Sequence, residues 1–347
     1  MFRLFQILFG LIGAVLAALG GLIAFGTREA PPEMTAITQP YRGVDFSGLP
    51  ALETLPALRG GPIAFRRYGI GSAQAVILLH GSAGHGMSLH PLARAMAEVG
   101  ISVFVPDIRG HGATGERGTI SFDSQLADDI HSLVLHVRDL LPKVQVTLAG
   151  VSAGGGLALK YAGGTEGDSI DRLVMIGPAL DRNAPTMTGD RVRRWAEPFT
   201  PRIVALEMLN SLGVRLFNHL PVIAYAIPRE PVDPPLTGTY SYRLLKAMLP
   251  EDHAAHLRGL VRPAFLVLGA NDELFDAATL RTTVLAARRD VSVTLVPGVT
   301  HVGLVLAPPA QLAVIEAVLG RSVESRPGPP MDDSGAAAEE AAKQGRP

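Results

Sequence analysis

The chain of 347 residues contains no cysteine. That absence removes disulfides, thiol nucleophiles and cysteine-ligated metal sites together, and it leaves the redox compartment open. Aromatic residues are sparse at 5%, with one tryptophan. Charge of either sign is not in excess: 31 Lys and Arg face 32 Asp and Glu for a net −1, and no long basic block occurs. So neutral a chain lacks the field that recruits nucleic acid, which is not expected as a partner. No internal repeat of fixed period is visible.

Apolar residues, by contrast, make up 47% of the chain. From Ile7 to Phe25 the run "ILFGLIGAVLAALGGLIAF" carries no charge for 19 residues. As a helix rising about 1.5 Å per residue, it nearly spans a hydrocarbon core of about 30 Å. A secretory signal would have a shorter apolar region and a small-x-small cleavage site, for which Ala24-Phe25-Gly26 is a poor match. We therefore expect residues 1–27 to be a retained single-pass anchor, with cleavage and secretion as the alternative. Arg3 before the run, against the offsetting pair Arg28 and Glu29 after it, favours a cytoplasmic amino end and a domain on the other side. Residues 28–59 read as a proline-containing spacer. Residues 321–347, rich in Pro, Gly, Ala and charge, read as a disordered tail.

Between these ends, short β-branched runs alternate with helical patterns. "AVILLH" (75–80), "SVFVPD" (102–107), "VQVTLAG" (144–150), "RLVMIGPA" (172–179), "AFLVLGA" (264–270) and "VSVTLVPG" (291–298) suit strands buried on both faces. "LHPLARAMAEVG", "SFDSQLADDIHSLVLHVRDLL", "AGGGLALKYAGG", "AATLRTTVLAARR" and "PAQLAVIEAVLG" space their apolar residues at helical intervals. The alternation predicts an α/β fold with a mostly parallel central sheet flanked by helices, built from residues 60–180 and 256–320. The stretch 181–255 is too long for a simple crossover and reads as an inserted, mainly helical cap.

One place in this pattern spends stability. "LAGVSAGGGLALKY" sets Ser152 among Gly150, Gly154, Gly155 and Gly156 at a strand-to-helix seam, where glycine weakens both elements. Gly150-x-Ser152-x-Gly154 matches a nucleophile elbow, a strained turn that exposes a serine hydroxyl at the carboxyl edge of a sheet. It matches neither the G-x-x-x-x-G-K-[ST] nor the G-x-G-x-x-G phosphate loop. A serine hydroxyl is a weak nucleophile and needs a histidine base oriented by a carboxylate. His301 follows the last strand in "LVPGVTHVGLVL" and Asp272 the preceding one in "LVLGANDELFD", with Asp276 as the carboxylate rival. The oxyanion formed on attack needs backbone donors: Ala153, after the nucleophile, and a residue of the early loop "LLHGSAGHG", where the Ser82 amide is preferred over that of Ala83. The remaining histidines, His131, His136, His253 and His256 among them, lack metal-site spacing, and no metal is expected.

Taken in order, "LLHGSAGHG", "VPDIRGHGATG", "GVSAGGG", "GANDELF" and "GVTHVG" resemble the α/β-hydrolase superfamily, particularly its lysophospholipase and monoacylglycerol-lipase-like serine hydrolases, over residues 60 to 320. The resemblance implies a Ser152–Asp272–His301 triad and assigns Asp107, Arg109, Gly110 and His111 to a structural turn. It implies no nicotinamide, flavin or metal cofactor. Ser82-Ala83-Gly84-His85 departs from a three-glycine oxyanion loop, and the serine at the elbow disfavours the aspartate-nucleophile dehalogenases and epoxide hydrolases. The expected activity is hydrolysis of carboxylic esters with apolar, lipid-like acyl groups, the partners being a small-molecule ester and a membrane. Acyl transfer, thioester or peptide cleavage through the same triad, or binding without catalysis, are the alternatives. Trp195, Phe199, Leu216, Phe217, Tyr225, Tyr240 and Tyr242 of the insertion are candidates to line an acyl pocket, and Arg191, Arg193 and Arg194 to meet head groups, although packing and solvation explain them as well.

Overall fold

Eight strands form the central sheet of the computed structural model, which describes residues 2–321 apart from Ile70, Ser72 and Thr188. The predicted tail, Arg321 excepted, lies outside the described residues. Six of the strands answer to the β-branched runs: β3 (Gln74–Leu79), β4 (Ser102–Pro106), β5 (Gln145–Val151), β6 (Arg172–Ile176), β10 (Ala264–Gly269) and β11 (Ser292–Val296). They pair in parallel, as continuous apolar runs require. Two further strands, β1 (Leu52–Leu55) and β2 (Ile63–Tyr68), extend the β4 edge in antiparallel fashion, giving the order β1-β2-β4-β3-β5-β6-β10-β11. The sequence reading missed both. β1 is four residues long and only half-buried, and β2 carries Arg66 and Arg67, so neither shows a continuous apolar run.

Side-chain alternation divides the core in two. Ile77, Leu79, Val146 and Leu148 face one layer, with the helices Gln125–Leu140 and Ala153–Ala162. Val76, Leu78, Ala149 and Val151 face the other, with the helices His90–Glu98 and Pro308–Val318. Parallel register then decides the position of the site. Leu79 stands beside Gly150, Val151 beside Ile176, and Gly269 beside Val296. The loops that follow these strands therefore emerge along one edge of the sheet.

Two regions depart from expectation. Between β6 and β10, where a mainly helical insertion is expected, the chain has helices Asp190–Trp195, Thr200–Ser211 and Tyr242–Met248. It also builds a three-stranded antiparallel sheet from β7 (Ala196–Pro198), β8 (Pro221–Tyr225) and β9 (Thr239–Ser241), in the order β7-β8-β9. Residues 28–59, read as a spacer, contain β1 of the main sheet, a helix at Thr35–Thr38 and a 3-10 turn at Gln39–Gly43. The Met34 amide donates to the Ala226 carbonyl at 2.9 Å, tying this segment to the insertion.

The apolar run forms a helix, Phe2–Phe25, of which Phe5–Phe25 is long and apolar enough to cross a membrane. Among its described side chains Phe5, Phe9 and Leu16 are exposed, while Leu19 is buried against Ala205 and Leu209. Arg202 donates through Nε to the Ile23 carbonyl at 2.7 Å and through its terminal nitrogens to Ala24 and Pro221. A cation thus occupies the carboxyl end of the helix, where carbonyls lack intrahelical partners.

Candidate active site

The glycines around Ser152 are there because nothing larger fits. A Cβ on Gly150 would lie 2.1 Å from the Gly154 carbonyl oxygen, and one on Gly154 would lie 2.4 Å from that of His80. Ser152 itself has φ 55 and ψ −122, a conformation that costs on the order of 1–3 kcal/mol for a residue with a side chain. Its amide donates to the Ile176 carbonyl at 2.9 Å, and its carbonyl accepts from the Gly155 and Ala179 amides at 2.9 Å, so the surrounding loops hold the strained turn. Ala153 begins the following helix, where first-turn amides have no intrahelical acceptor.

Asp272 and His301, far apart in the chain, meet. His301 Nδ1 donates to Asp272 Oδ2 at 2.8 Å, leaving Nε2 as the acceptor. Asp272 is held in turn by the Leu274 and Phe275 amides, which donate to Oδ1 at 2.8 and 2.9 Å. Both side chains are buried. Burial opposes the imidazolium, but the charge and hydrogen bond of Asp272, with Glu273 behind them, outweigh it and raise the His301 pKa above its ordinary value. The rival Asp276 is exposed and caps the helix Ala277–Ala287 by accepting from the Thr279 amide. Glu273, which the sequence reading passed over, accepts from the His301 amide at 2.8 Å, while its second oxygen is buried with no hydrogen-bond partner among the described residues.

The early loop is fastened by a chain of hydrogen bonds to two neighbouring segments. The Ala83 amide donates to the Tyr240 hydroxyl at 2.8 Å, and that hydroxyl donates to His111 Nε2 at 2.6 Å. His111 Nδ1 donates to the Ile108 carbonyl, and the Ile108 amide donates to His80 Nε2 at 3.0 Å. His80 Nδ1 closes the chain by donating to the Gly81 carbonyl. Both imidazoles are fully buried, and burial pushes His80 down to about 4 and His111 well below its ordinary value, so both are neutral and can accept these bonds. Ala83 has φ 62, a left-handed residue whose amide is already committed to Tyr240 and whose carbonyl accepts from the Thr237 amide at 2.8 Å. Ser82, next to it, receives the Trp195 indole on its Oγ at 3.0 Å.

The turn 107–111 is structural in its details. Asp107 accepts from the Gly86 and Ala113 amides, and Arg109 makes a buried two-pronged ion pair with Asp129 at 2.7 and 2.9 Å. Asp181, Asp252 and His253 bring possible metal-ligating atoms together, but the Asp181 carboxylate is engaged by the His253 amide and ring and by the Asn183 amide. Asp252 caps its own helix.

A cavity of about 380 Å³ contains Ser152, His301, Gly81 and Ser82 in its wall. Of the seven aromatic and aliphatic candidates in the insertion, only Trp195 lines it. Phe199, Tyr225, Tyr240 and Tyr242 are buried in packing, and Leu216 is exposed. Arg193 and Arg194 are exposed, while Arg191 reaches the Asp272 carbonyl at 3.4 Å. Other parts of the wall come from residues the sequence reading did not single out, among them Ile37, Tyr41 and Phe46 before the core, and Ile227, Val232 and Leu236 in the loop after β8. They carry no motif, only apolarity.

Residues 71–305 match the family model described as serine aminopeptidase, S33. The chain is 27% identical over 241 residues to the monoacylglycerol lipase of Mycolicibacterium smegmatis, covering 65% of this chain and 80% of that protein. It is 26% identical over 295 residues to the human monoglyceride lipase, covering 78% and 89%. The crystal structure of E-2-(acetamidomethylene)succinate hydrolase superposes with a TM-score of 0.54 at 21% identity, over 78% of this chain and 99% of that one. With the site edge, the elbow and the matched span in agreement, the chain belongs to the S33 serine aminopeptidase family of α/β hydrolases.

Proposed function

We propose that this protein is a membrane-anchored serine esterase that cleaves carboxylic esters of apolar, lipid-like acyl groups. The observation that carries the reading is the buried hydrogen bond to Asp272 from His301, which lines one cavity with the strained Ser152. In the reaction, Ser152 Oγ adds to the acyl carbonyl carbon while its proton passes to His301 Nε2. Asp272 stabilises the imidazolium so formed, and the Ser82 and Ala153 amides hold the oxyanion. Collapse of the tetrahedral intermediate breaks the ester C–O bond, and His301 returns the proton to the departing alcohol. Water then adds to the acyl-enzyme with its proton taken by His301, the acid leaves, and Ser152 is restored.

The apolar wall suits an acyl chain, and the two curated relatives named as lipases support the ester as substrate. Retention of the amino-terminal helix is supported by Leu19 in its packed contact and by the Arg202 clamp, which removal of the helix would leave without two of its acceptors. We place the insertion over the site as its cap, and the domain on the non-cytoplasmic side.

The test is labelling by a fluorophosphonate probe. The wild-type protein is expected to label and Ser152→Ala to lose labelling and ester hydrolysis together, and undiminished labelling of the variant would move the nucleophile elsewhere. Because the family model carries the name of an aminopeptidase, aminoacyl p-nitroanilides belong in the same assay. Their cleavage in preference to esters would replace the ester reading by a peptidase one.

A further inference from the structure

We infer that the segment 34–46, between the apolar helix and the core, is a substrate-contacting wall that sets acyl-chain length. The inference rests on the esterase reading. Ile37, Thr38, Tyr41, Arg42 and Phe46 line the cavity that contains Ser152 and His301. The segment lies before residues 71–305, the span of the family match.

The segment is built to hold a shape. Its helix and 3-10 turn run without a break from Thr35 to Gly43. Met34 and Ile37 pack on the main core cluster, and the Met34 amide is bonded to Ala226 of the insertion. Glu33 accepts from Thr38 Oγ1 at 2.5 Å and pairs with Arg42 at 3.7 Å, holding the first and last turns together. At the far end the Phe46 ring rests against His90, with centroids 6.1 Å apart. A wall fixed at both ends presents the same apolar surface to each substrate and can therefore discriminate by size. Ile37 and Phe46 offer methyl, methylene and ring carbons with no polar atom, so the part of the substrate they match is the distal hydrocarbon of the acyl chain. The carbonyl lies at Ser152. Arg42, mostly exposed, remains where its charge is solvated.

The experiment uses the full-length protein in detergent micelles and p-nitrophenyl esters from acetate to laurate. Ile37→Trp extends an indole into the cavity, and Ala36→Trp places the same indole on an exposed position of the same helix. Ile37→Trp is expected to lower kcat/KM for octanoate and laurate by about tenfold or more, the scale on which an apolar pocket senses a change of chain length. Acetate should stay within about twofold, and Ala36→Trp should leave the whole profile in place. Fluorophosphonate labelling should persist in both. If Ile37→Trp does not fold, Phe46→Ala decides the matter by enlarging the cavity, with an expected rise in the laurate-to-butyrate ratio. Labelling with an unchanged chain-length ratio, or an equal loss on all esters, overturns this inference alone. A wild-type protein that neither labels nor turns over any ester overturns the esterase reading and this one with it.

Discussion

The strand-edge loops around Ser152 and the wall formed by residues 34–46 and 227–236 enclose one cavity, yet they are made differently. At the elbow, backbone atoms approach so closely that a single Cβ is excluded. Along the wall, side chains of ordinary apolar type fill space, and many similar residues would do. Intolerance to substitution belongs to the first region and tuning to the second. The physical reason is that backbone positions cannot repack, whereas side-chain surfaces can.

The contrast breaks most readily at Gly154. Gly154→Ala puts a methyl 2.4 and 2.5 Å from the carbonyl oxygens of His80 and Leu79, so the end of β3 or the elbow must shift. Loss of esterase activity by more than about a hundredfold is expected, with destabilisation of several kcal/mol in urea unfolding. Near-normal behaviour would show that the elbow yields as the wall does. A middle-sized effect is expected at Tyr240, where the insertion grips the early loop. Tyr240→Phe leaves the buried Ala83 amide and His111 Nε2 without partners, at a cost of about 1–3 kcal/mol. Because Ala83 adjoins the proposed donor Ser82, kcat should fall by about tenfold with KM little changed. A fall in stability alone would confine Tyr240 to packing.

The smallest effect sharpens the electrostatic side of the same comparison. Glu273 helps to raise the His301 pKa, and the base role proposed for His301 requires the neutral ring, so activity should climb with pH through that pKa. Glu273→Gln removes one negative charge and keeps an acceptor for the His301 amide. The acid limb of the kcat/KM profile should therefore move to lower pH by a fraction of a unit. A shift in the opposite direction would mean that Glu273 does not act on His301 through its charge.

How much of this was legible beforehand follows the same division. Parallel strands appear as continuous β-branched runs because both their faces are buried, and the elbow announces itself because only glycine meets its steric demand. Asp272 and His301 stand out in the sequence as candidates because chemistry restricts residue type and strand ends restrict position. β1 and β2 left no such trace, since a short edge strand and one carrying two arginines look like loop. The hydrogen-bonded path from Tyr240 through His111 to His80 was not legible either, because it joins residues 129 positions apart and then 28 apart.

The sequence by itself determined the alternation of strand and helix, the apolar helix, the serine between its glycines, and the histidine and aspartate placed after successive strands. Each is a local demand, of periodicity, length, sterics or residue chemistry, and so is written in neighbouring letters. Only the tertiary structure decided that Asp272, not Asp276, meets His301, that Glu273 stands behind it, and that the stretch read as a spacer lines the cavity. These depend on which surfaces come together in space, and an apolar side chain on a cavity wall has the same letter as one in the core.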